Sequence, residues 1–456
     1  MEFCKKNVYE LFKLFIEKKP DFIFVDGEEK YTISEFFYTV CDRANYLSEM
    51  GVKKGDFVSI LCKRDIETLV YFFACQIMGS IALMVDEHED IKALENNNGL
   101  KVKYSIIENR SIKKCEVMPK ISFEILNDSK ITTIGISTSG STGDRKIVMH
   151  SQYAFINNSF DSKEYGFYEE KDIALSFLPM NHVFAIAMIF TALYFQFKFV
   201  IASNIDVISL LKDIEKYHVT RFNTVPTLLL KMVEAKDGFD LSSLKCCYLG
   251  GAPCSQKDYL RIEKSLGLKL ISVYGMSECI GISTGAYSDD SIVLANSVGR
   301  KYPLNDVKIA SDGEIMVKSP AMCNGYFNGE LPLLDGYLLT GDIGSFDSLG
   351  FLHILGRKKE IIIRNGLNIS ISEIERKLND IDIFKEYAVV GIEDDGVGEA
   401  PALAIVLKDS NNIDLNSILS KYLNKQEMPC KIIILDKLPL LENGKIDKKS
   451  IKKLFI

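Results

Sequence analysis

The first 280 residues alternate short apolar runs with helix-patterned segments, and this rhythm restricts the fold more than any other feature. Phe57–Cys62 reads as a strand, a helix follows from about Asp65 to a stop at Gly79, and Ile81–Val85 reads as the next strand. The pattern returns as helix Val207–Tyr217, strand Arg221–Val225, helix Thr227–Glu234, strand Lys245–Leu249, helix Gln256–Leu266 and strand Lys269–Val273. Such alternation predicts an α/β domain of largely parallel sheets with helices outside. Thr32-Ile33-Ser34-Glu35 has the spacing of a capping box, with Phe36, Val40, Ala44 and Leu47 at helical spacing behind it and Gly51 past the end.

At 456 residues the chain exceeds what one core supports, so two or three domains are expected. After about Val298 the texture changes: Val307–Ala310 and Glu314–Lys318 read as a hairpin through Ser311-Asp312-Gly313, and short strands continue to about Leu355. The last hundred residues read as a small α+β unit. A capping box, Ser370-Ile371-Ser372-Glu373, opens helix Ile374–Leu378; strands Tyr387–Gly391 and Ala402–Leu407, helix Leu415–Leu423 and strand Lys431–Leu435 follow. The expected division is a large domain over residues 1–356, ending in a β-rich subdomain, and a small domain over 357–456, linked at Gly356-Arg357-Lys358-Lys359.

Composition removes several function classes. The net charge is −7, from 55 basic and 62 acidic residues spread along the chain, which argues against a nucleic-acid or membrane-surface partner. The 11 cysteines include no C-x-x-C, and most sit in apolar runs, as Cys62 does; that is the usage of reduced core thiols in a cytosolic protein. The N-terminal Met1-Glu2-Phe3-Cys4-Lys5-Lys6 lacks the apolar stretch of a signal peptide. Val183–Phe195 is the greasiest segment, but a bilayer span needs about 20 residues, so a buried helix and a cytoplasmic protein without a membrane span are expected.

The chemistry-bearing segments begin with Thr138-Ser139-Gly140-Ser141-Thr142-Gly143-Asp144-Arg145-Lys146, directly after the apolar run Ile131–Ile136. Glycines let the backbone approach a ligand, consecutive N–H groups converge into an anion nest, and the hydroxyls and Lys146 add donors and charge. A polyphosphate is the matching ligand. In a Walker loop the lysine follows the last glycine at once; here it comes three residues later and precedes Ile147, which argues against that class. Taken alone the segment reads equally as a solvated turn. Tyr274-Gly275-Met276-Ser277-Glu278 follows a strand, at the end where open α/β sheets place ligands. Tyr337-Leu338-Leu339-Thr340-Gly341-Asp342 presents a carboxylate after a tight turn, Gly356-Arg357-Lys358-Lys359-Glu360 is a charged link, and Leu438 to Asp447 is a turn presenting Lys445. Each of these singly reads also as an ordinary turn, an N-cap, a solvated charge run or a surface lysine.

In this order, from Tyr31-Thr32-Ile33-Ser34-Glu35 to Gly444-Lys445, the segments resemble the adenylate-forming superfamily. That superfamily comprises acyl- and aryl-CoA synthetases, non-ribosomal-peptide adenylation domains and beetle luciferases; in pattern the chain is nearest the acyl-CoA synthetases. The resemblance implies a large AMP-binding domain followed by a mobile α+β lid. It implies that Thr138, Ser139, Gly140, Ser141, Thr142, Gly143 and Lys146 hold the β- and γ-phosphates of ATP, with Arg145 where the family usually has proline. Gly250-Gly251-Ala252-Pro253 would lie against one face of adenine and Tyr274, followed by Gly275, against the other. Ser277 would take the place of the commoner threonine at the α-phosphate, and Glu278 would ligate Mg²⁺ as a hard oxygen donor. Asp342 and Arg357 would contact the ribose, and Lys445 would bridge the acid carboxylate and the α-phosphate. Lys359 would be the hinge of the lid, and Gly366 would face the site in the second half-reaction.

The chemistry so implied is attack of a carboxylate on the α-phosphorus, loss of pyrophosphate, and transfer of the acyl group to a thiol. It needs positioning and cations rather than a protein nucleophile. Leu178 to Ala185 aligns with the wall of the acid pocket, giving His182 at the carboxylate entry and Val183 and Phe184 in the wall, with Val225 and Met276 completing it. Amino-acid-activating relatives usually carry an aspartate here; without one a buried ammonium is costly, so an apolar fatty or aryl acid is expected. Coenzyme A is the expected acceptor, the phosphopantetheine of a free acyl carrier protein the alternative. A non-catalytic nucleotide-binding relative would lack Glu278, Asp342 or Lys445, and all three are present. A dehydrogenase would carry G-x-G-x-x-G at its first strand–helix turn, where this chain has Cys62-Lys63-Arg64-Asp65.

Overall fold

The structure is a computed structural model and describes residues 3–18, 23–27, 29–86, 91–106, 114–138, 146–166, 168–169, 171–202, 204–379, 381–394, 396–408, 414–439 and 446–455. The chain forms two compact units, Met1–Val307 with Val317–Leu338 and Gly350–Leu352, and Lys308–Met316 with Leu339–Leu349 and His353–Ile456.

Local signals set the helix ends of the first unit. Thr32 and Glu35 form the reciprocal capping box that opens helix Ile33–Glu49, which satisfies two otherwise orphaned N–H groups. Asp65 caps helix Ile66–Met78 through the Thr68 N–H, and Gly79 ends it at φ 79°, a left-handed conformation that glycine adopts without strain. Helix Val183–Phe195 has buried residues all round, as its composition requires. Among the described residues no helix is long and apolar enough to cross a membrane.

Two sheets carry this unit. The larger runs in the order Arg300–Lys301, Cys279–Thr284, Lys269–Met276, Cys246–Leu249, Arg221–Thr224, Ile173–Ser176, Lys198–Ile201, Ile23–Asp26, Glu29–Thr32. It is parallel from Lys269–Met276 to Ile23–Asp26 and antiparallel at both edges. The second runs Gly325–Tyr326, Lys146–Ser151, Thr132–Thr138, Ile81–Val85, Phe57–Leu61, Val102–Ile106, with its first two pairings antiparallel and the rest parallel. Phe12, Phe36, Phe72, Phe73, Phe155 and Phe190 are fully buried in one core cluster, where the rings of Phe155 and Phe190 stack with centroids 5.0 Å apart. Each such ring contributes on the order of 2 to 3 kcal/mol over leaving it exposed.

The expected Lys269–Val273 continues to Met276 and returns as the antiparallel strand Cys279–Thr284, with a register shift between Tyr274 and Met276. Tyr274 to Glu278 therefore lies at the turn of a hairpin. Gly275 makes this possible: a Cβ there would stand 2.1 Å from the Ile280 carbonyl oxygen.

In the second unit the sheet order is Leu367–Ser370, Ile361–Arg364, Gly398–Leu407, Phe384–Asp394, with Lys431–Ile434 parallel to Gly398–Leu407. Helix Ile371–Leu378 is capped by Ser370 and buries Ile371, Ile374 and Leu378. The helix expected at Leu415–Leu423 ends at Leu419; beyond it Lys421 and Tyr422 donate to carbonyls three residues back, a tighter turn that brings Leu423 into the core. A further sheet, Asp306–Ile309, Glu314–Lys318, Tyr337–Phe346, Leu333–Leu334, with Leu352–Arg357 on Tyr337–Phe346, forms the β-rich stretch expected after Val298.

Candidate active site

Thr138 ends one strand and Lys146 begins the next, and the two are register partners, with the Thr138 hydroxyl donating to the Lys146 carbonyl at 3.3 Å. Both flanks of the glycine-rich segment thus stand side by side; Ser139, Gly140, Ser141, Thr142 and Gly143 lie outside the described residues. Four residues on, His150 Nε2 lies 2.6 Å from the Ser277 carbonyl oxygen. A carbonyl only accepts, so Nε2 carries the proton. The ring is fully buried, and burial pushes its pKa down to about 4 against a smaller opposing effect of the Ser277 carbonyl. Its Nδ1 meets no hydrogen-bond partner among the described residues.

The other edge of the same strand pairs antiparallel with Gly325–Tyr326, Tyr326 standing opposite Val148. The Tyr326 hydroxyl donates to Glu278 Oε1 at 2.6 Å, and Lys146 Nζ lies 4.6 Å from the centroid of the Tyr326 ring. The Cys323 N–H donates to the Glu278 carbonyl at 2.8 Å. The turn at Ser277 and Glu278 is therefore gripped at both carbonyls and at the carboxylate: by His150 on the strand that leaves the glycine-rich segment, by Tyr326 on its neighbour, and by Cys323 just before that neighbour. Neither His150 nor Tyr326 stood among the residues expected from the sequence. The alternation that puts Lys146 and His150 on one face of a strand was the available signal.

A second cluster forms around the backbone of Gly250 and Gly251. A Cβ on Gly250 would stand 2.8 Å from Val273 Cγ2 and 3.5 Å from Phe184 Cζ, and one on Gly251, where φ is +76°, 3.4 Å from Val225 Cγ1. Phe184 and Val225 thus meet at these glycines, and the Asn223 amide donates to the Phe184 carbonyl at 3.3 Å. Ala252 and Pro253 are exposed, Tyr274 is buried, and Met276 is half-buried at the hairpin end. His182 is the exposed N-cap residue of helix Val183–Phe195, with Val183 half-buried at its first position.

In the second unit Asp342 is buried and pairs with Arg357, Nε to Oδ1 2.7 Å. Gly341, at φ +73°, donates its N–H to Glu314 Oε1, and Lys358 bridges Asp312 and Glu314 at 2.6 and 2.7 Å. Those two carboxylates, Asp312 first, hold the Lys358 ammonium well above the usual lysine range. Lys359 is exposed in the short turn Lys358–Glu360. Asn365 and Gly366, both at positive φ, make the two-residue turn between Ile361–Arg364 and Leu367–Ser370, with Gly366 exposed. Lys445 lies outside the described residues.

Among the described residues no group of three or more His, Cys, Asp or Glu gathers as a metal cage. A single carboxylate at a turn, such as Glu278, suits an ion that takes its other ligands from phosphate oxygens and water, which is how magnesium binds with nucleotides.

A family model described as AMP-binding enzyme matches residues 12–96 and 124–327, and one described as AMP-binding enzyme C-terminal domain matches residues 373–445. A 2-succinylbenzoate–CoA ligase from Listeria monocytogenes serotype 4b (strain F2365) is 27% identical over 96% of this chain and 97% of its own. The structure of o-succinylbenzoate CoA synthetase (MenE) from Bacillus subtilis in complex with the acyl-adenylate intermediate OSB-AMP superposes with TM-score 0.84 at 24% identity, covering 98% of each chain. The same enzyme in complex with ATP and magnesium ion also gives TM-score 0.84 at 24% identity, over 98% of this chain and 100% of that one. At that identity the likeness establishes the fold: two α/β sheets and a C-terminal α+β unit.

Proposed function

The chain belongs to the AMP-binding enzyme family, and from that membership we propose that it joins an aryl carboxylic acid to coenzyme A through an acyl-adenylate. It is an AMP-forming acid–thiol ligase that uses ATP, magnesium and coenzyme A. The observation that carries the assignment of residues is the gripped turn: the half-buried Glu278 carboxylate and the Ser277 backbone are fixed beside the strand that leaves the glycine-rich segment.

In the first step a carboxylate oxygen of the acid bonds to the α-phosphorus, the bond to the bridging oxygen breaks, and pyrophosphate leaves. Lys445 draws the acid carboxylate and the α-phosphate together, while Ser277 donates its hydroxyl to that phosphate. Lys146 and the N–H groups from Thr138 to Gly143 hold the outer phosphates. Tyr274-Gly275 and Gly250-Gly251-Ala252-Pro253 enclose adenine, and Asp342 accepts from the ribose hydroxyls with Arg357 beside it. Glu278 would hold the magnesium ion, which neutralises phosphate charge when bound. In the second step the thiol attacks the acyl carbon and AMP leaves. A division at residue 356, a pivot at Lys359 and a role for Gly366 in this second step belong to the same reading.

Two features support an aryl acid. Curated relatives that align along nearly the whole chain include 2-succinylbenzoate–CoA ligases. Val183 stands where an amino-acid activator needs a carboxylate, and Phe184 and Val225 crowd the Gly250-Gly251 backbone, so an α-ammonium would be buried without counter-charge. His182 borders the carboxylate entry, and Met276 closes the wall. The free thiols of all eleven cysteines support a reducing, cytoplasmic setting.

The test is pyrophosphate exchange without coenzyme A, over 2-succinylbenzoate, benzoate, fatty acids of several lengths and amino acids. Aryl acids should exceed the others by on the order of tenfold or more. Fastest exchange with an amino acid would overturn the acid class, and exchange with none would overturn adenylation itself.

A further inference from the structure

Tyr326 stands 48 residues from Glu278 in the chain and reaches it through strand pairing alone. Its backbone is fixed from both sides: the Asn324 N–H donates to the Met149 carbonyl at 2.7 Å and the Phe327 N–H to the Ile147 carbonyl at 2.8 Å. The Asn324 side chain anchors further on Thr132 Oγ1 at 2.8 Å. The phenol therefore arrives at Glu278 on a rigid support, with its ring beneath the Lys146 ammonium.

We propose that Tyr326 is a positioning residue for the metal-bound nucleotide: its hydroxyl fixes Glu278 Oε1 so that the carboxylate is presented to magnesium, and its ring couples that carboxylate to Lys146. The proposal rests on the reading of Glu278 as the magnesium residue. A glutamate has a long, rotamer-rich side chain, and ordering it at the moment of metal binding weakens that binding. A phenol-to-carboxylate hydrogen bond is charge-assisted and short, as the 2.6 Å separation here is, so it removes most of that freedom in advance. Partners that orient a ligating carboxylate typically matter by about tenfold to a hundredfold in metal affinity. The Lys146 contact gives the same tyrosine a second effect, because the cation that closes the glycine-rich segment sits on the ring whose hydroxyl holds the carboxylate.

The experiment measures equilibrium binding of ATP to the full chain by calorimetry, once with excess Mg²⁺ and once with EDTA; the ratio of the two dissociation constants is the magnesium gain. Tyr326→Phe keeps the ring and loses the hydroxyl. It should cut the gain by about tenfold and leave binding in EDTA within about twofold of wild type. Glu278→Gln should lose the gain altogether. A wild-type gain in Tyr326→Phe, with the gain lost in Glu278→Gln, would overturn the role of Tyr326 and leave that of Glu278 standing. A wild-type gain in Glu278→Gln would overturn the reading on which the proposal rests. Equal weakening with and without magnesium in Tyr326→Phe marks a merely structural tie and also overturns the proposal. Should Tyr326→Phe not fold, Tyr326→Leu serves instead at this half-buried position: it too removes the hydroxyl, so the gain should again drop about tenfold, and an unchanged gain would overturn the proposal.

Discussion

His150 shows how much one side chain can be asked to do by its surroundings. Sealed in the interior, it is held neutral by burial, donating from Nε2 to the Ser277 carbonyl and leaving Nδ1 without a partner among the described residues. The unfolded chain protonates this imidazole near 6.5, the folded chain only near 4, so the unfolded state takes up the proton first as pH falls. The stability that depends on the neutral ring is thus intact above pH 6.5 and is lost on the way down to pH 4, at ~1.4 kcal/mol per pH unit, or about 3 kcal/mol in all. His150→Gln keeps an N–H donor at the same reach but cannot titrate. Urea unfolding at pH 7 and pH 5 should show wild type losing about 2 kcal/mol more than His150→Gln between the two conditions. Equal losses in the two proteins would mean that the ring charges without unfolding.

At the scale of elements the hairpin Lys269–Met276 to Cys279–Thr284 carries the site, and its stringency is concentrated at Gly275. A methyl group there would meet the Ile280 and Cys279 carbonyl oxygens at 2.1 and 3.2 Å, and these are backbone atoms that cannot rotate away. Gly275→Ala must open the hairpin and carry Ser277 and Glu278 with it. We expect a loss of about 1 to 3 kcal/mol in unfolding free energy and a rise in KM for ATP of roughly tenfold to a hundredfold. Wild-type values of both would show that the hairpin can widen freely. This hairpin also marks where the sequence ceased to be legible. Helix ends were readable because their signals are local: Thr32 with Glu35, Asp65, and Gly79 each act within a few residues. Ile81–Val85, Val207–Tyr217 and Gln256–Leu266 fall where periodicity puts them. Gly275, by contrast, reads as an interruption of a strand, and only the partner strand's Ile280 carbonyl explains why the strand continues through it. His150 and Tyr326 were hidden for a related reason. Their partners lie 127 and 48 residues away, and nothing in local composition encodes which edge of Lys146–Ser151 faces which turn.

At the scale of the whole molecule, the proposed reaction sets two tasks that make opposed demands: one cation must enter to join two anions, and a thiol must later reach the same acyl carbon. Lys445 and Gly366 both belong to the second unit, which packs its own cores around Ile362, Ile374, Leu403 and Ile405 and around Val390, Ala404 and Ile451. A Cβ on Gly366 meets nothing within 4 Å, so a larger side chain there is resisted only by its φ of +77°, a local strain of about 1 to 2 kcal/mol that a melting curve reports. On the proposed role of Lys445, Lys445→Ala should lower carboxylate-dependent pyrophosphate exchange by on the order of a hundredfold or more, since that role is to stabilise the charge of the transition state, while thioester formation from supplied acyl-adenylate stays within about threefold of wild type. Gly366→Leu should do the reverse, keeping exchange and losing transfer to coenzyme A. Opposite selectivity in two variants of one small unit is hard to produce by general damage, which depresses both steps together. Exchange persisting in Lys445→Ala would remove that lysine from the first step. Parallel loss of both steps in each variant would overturn the division of labour.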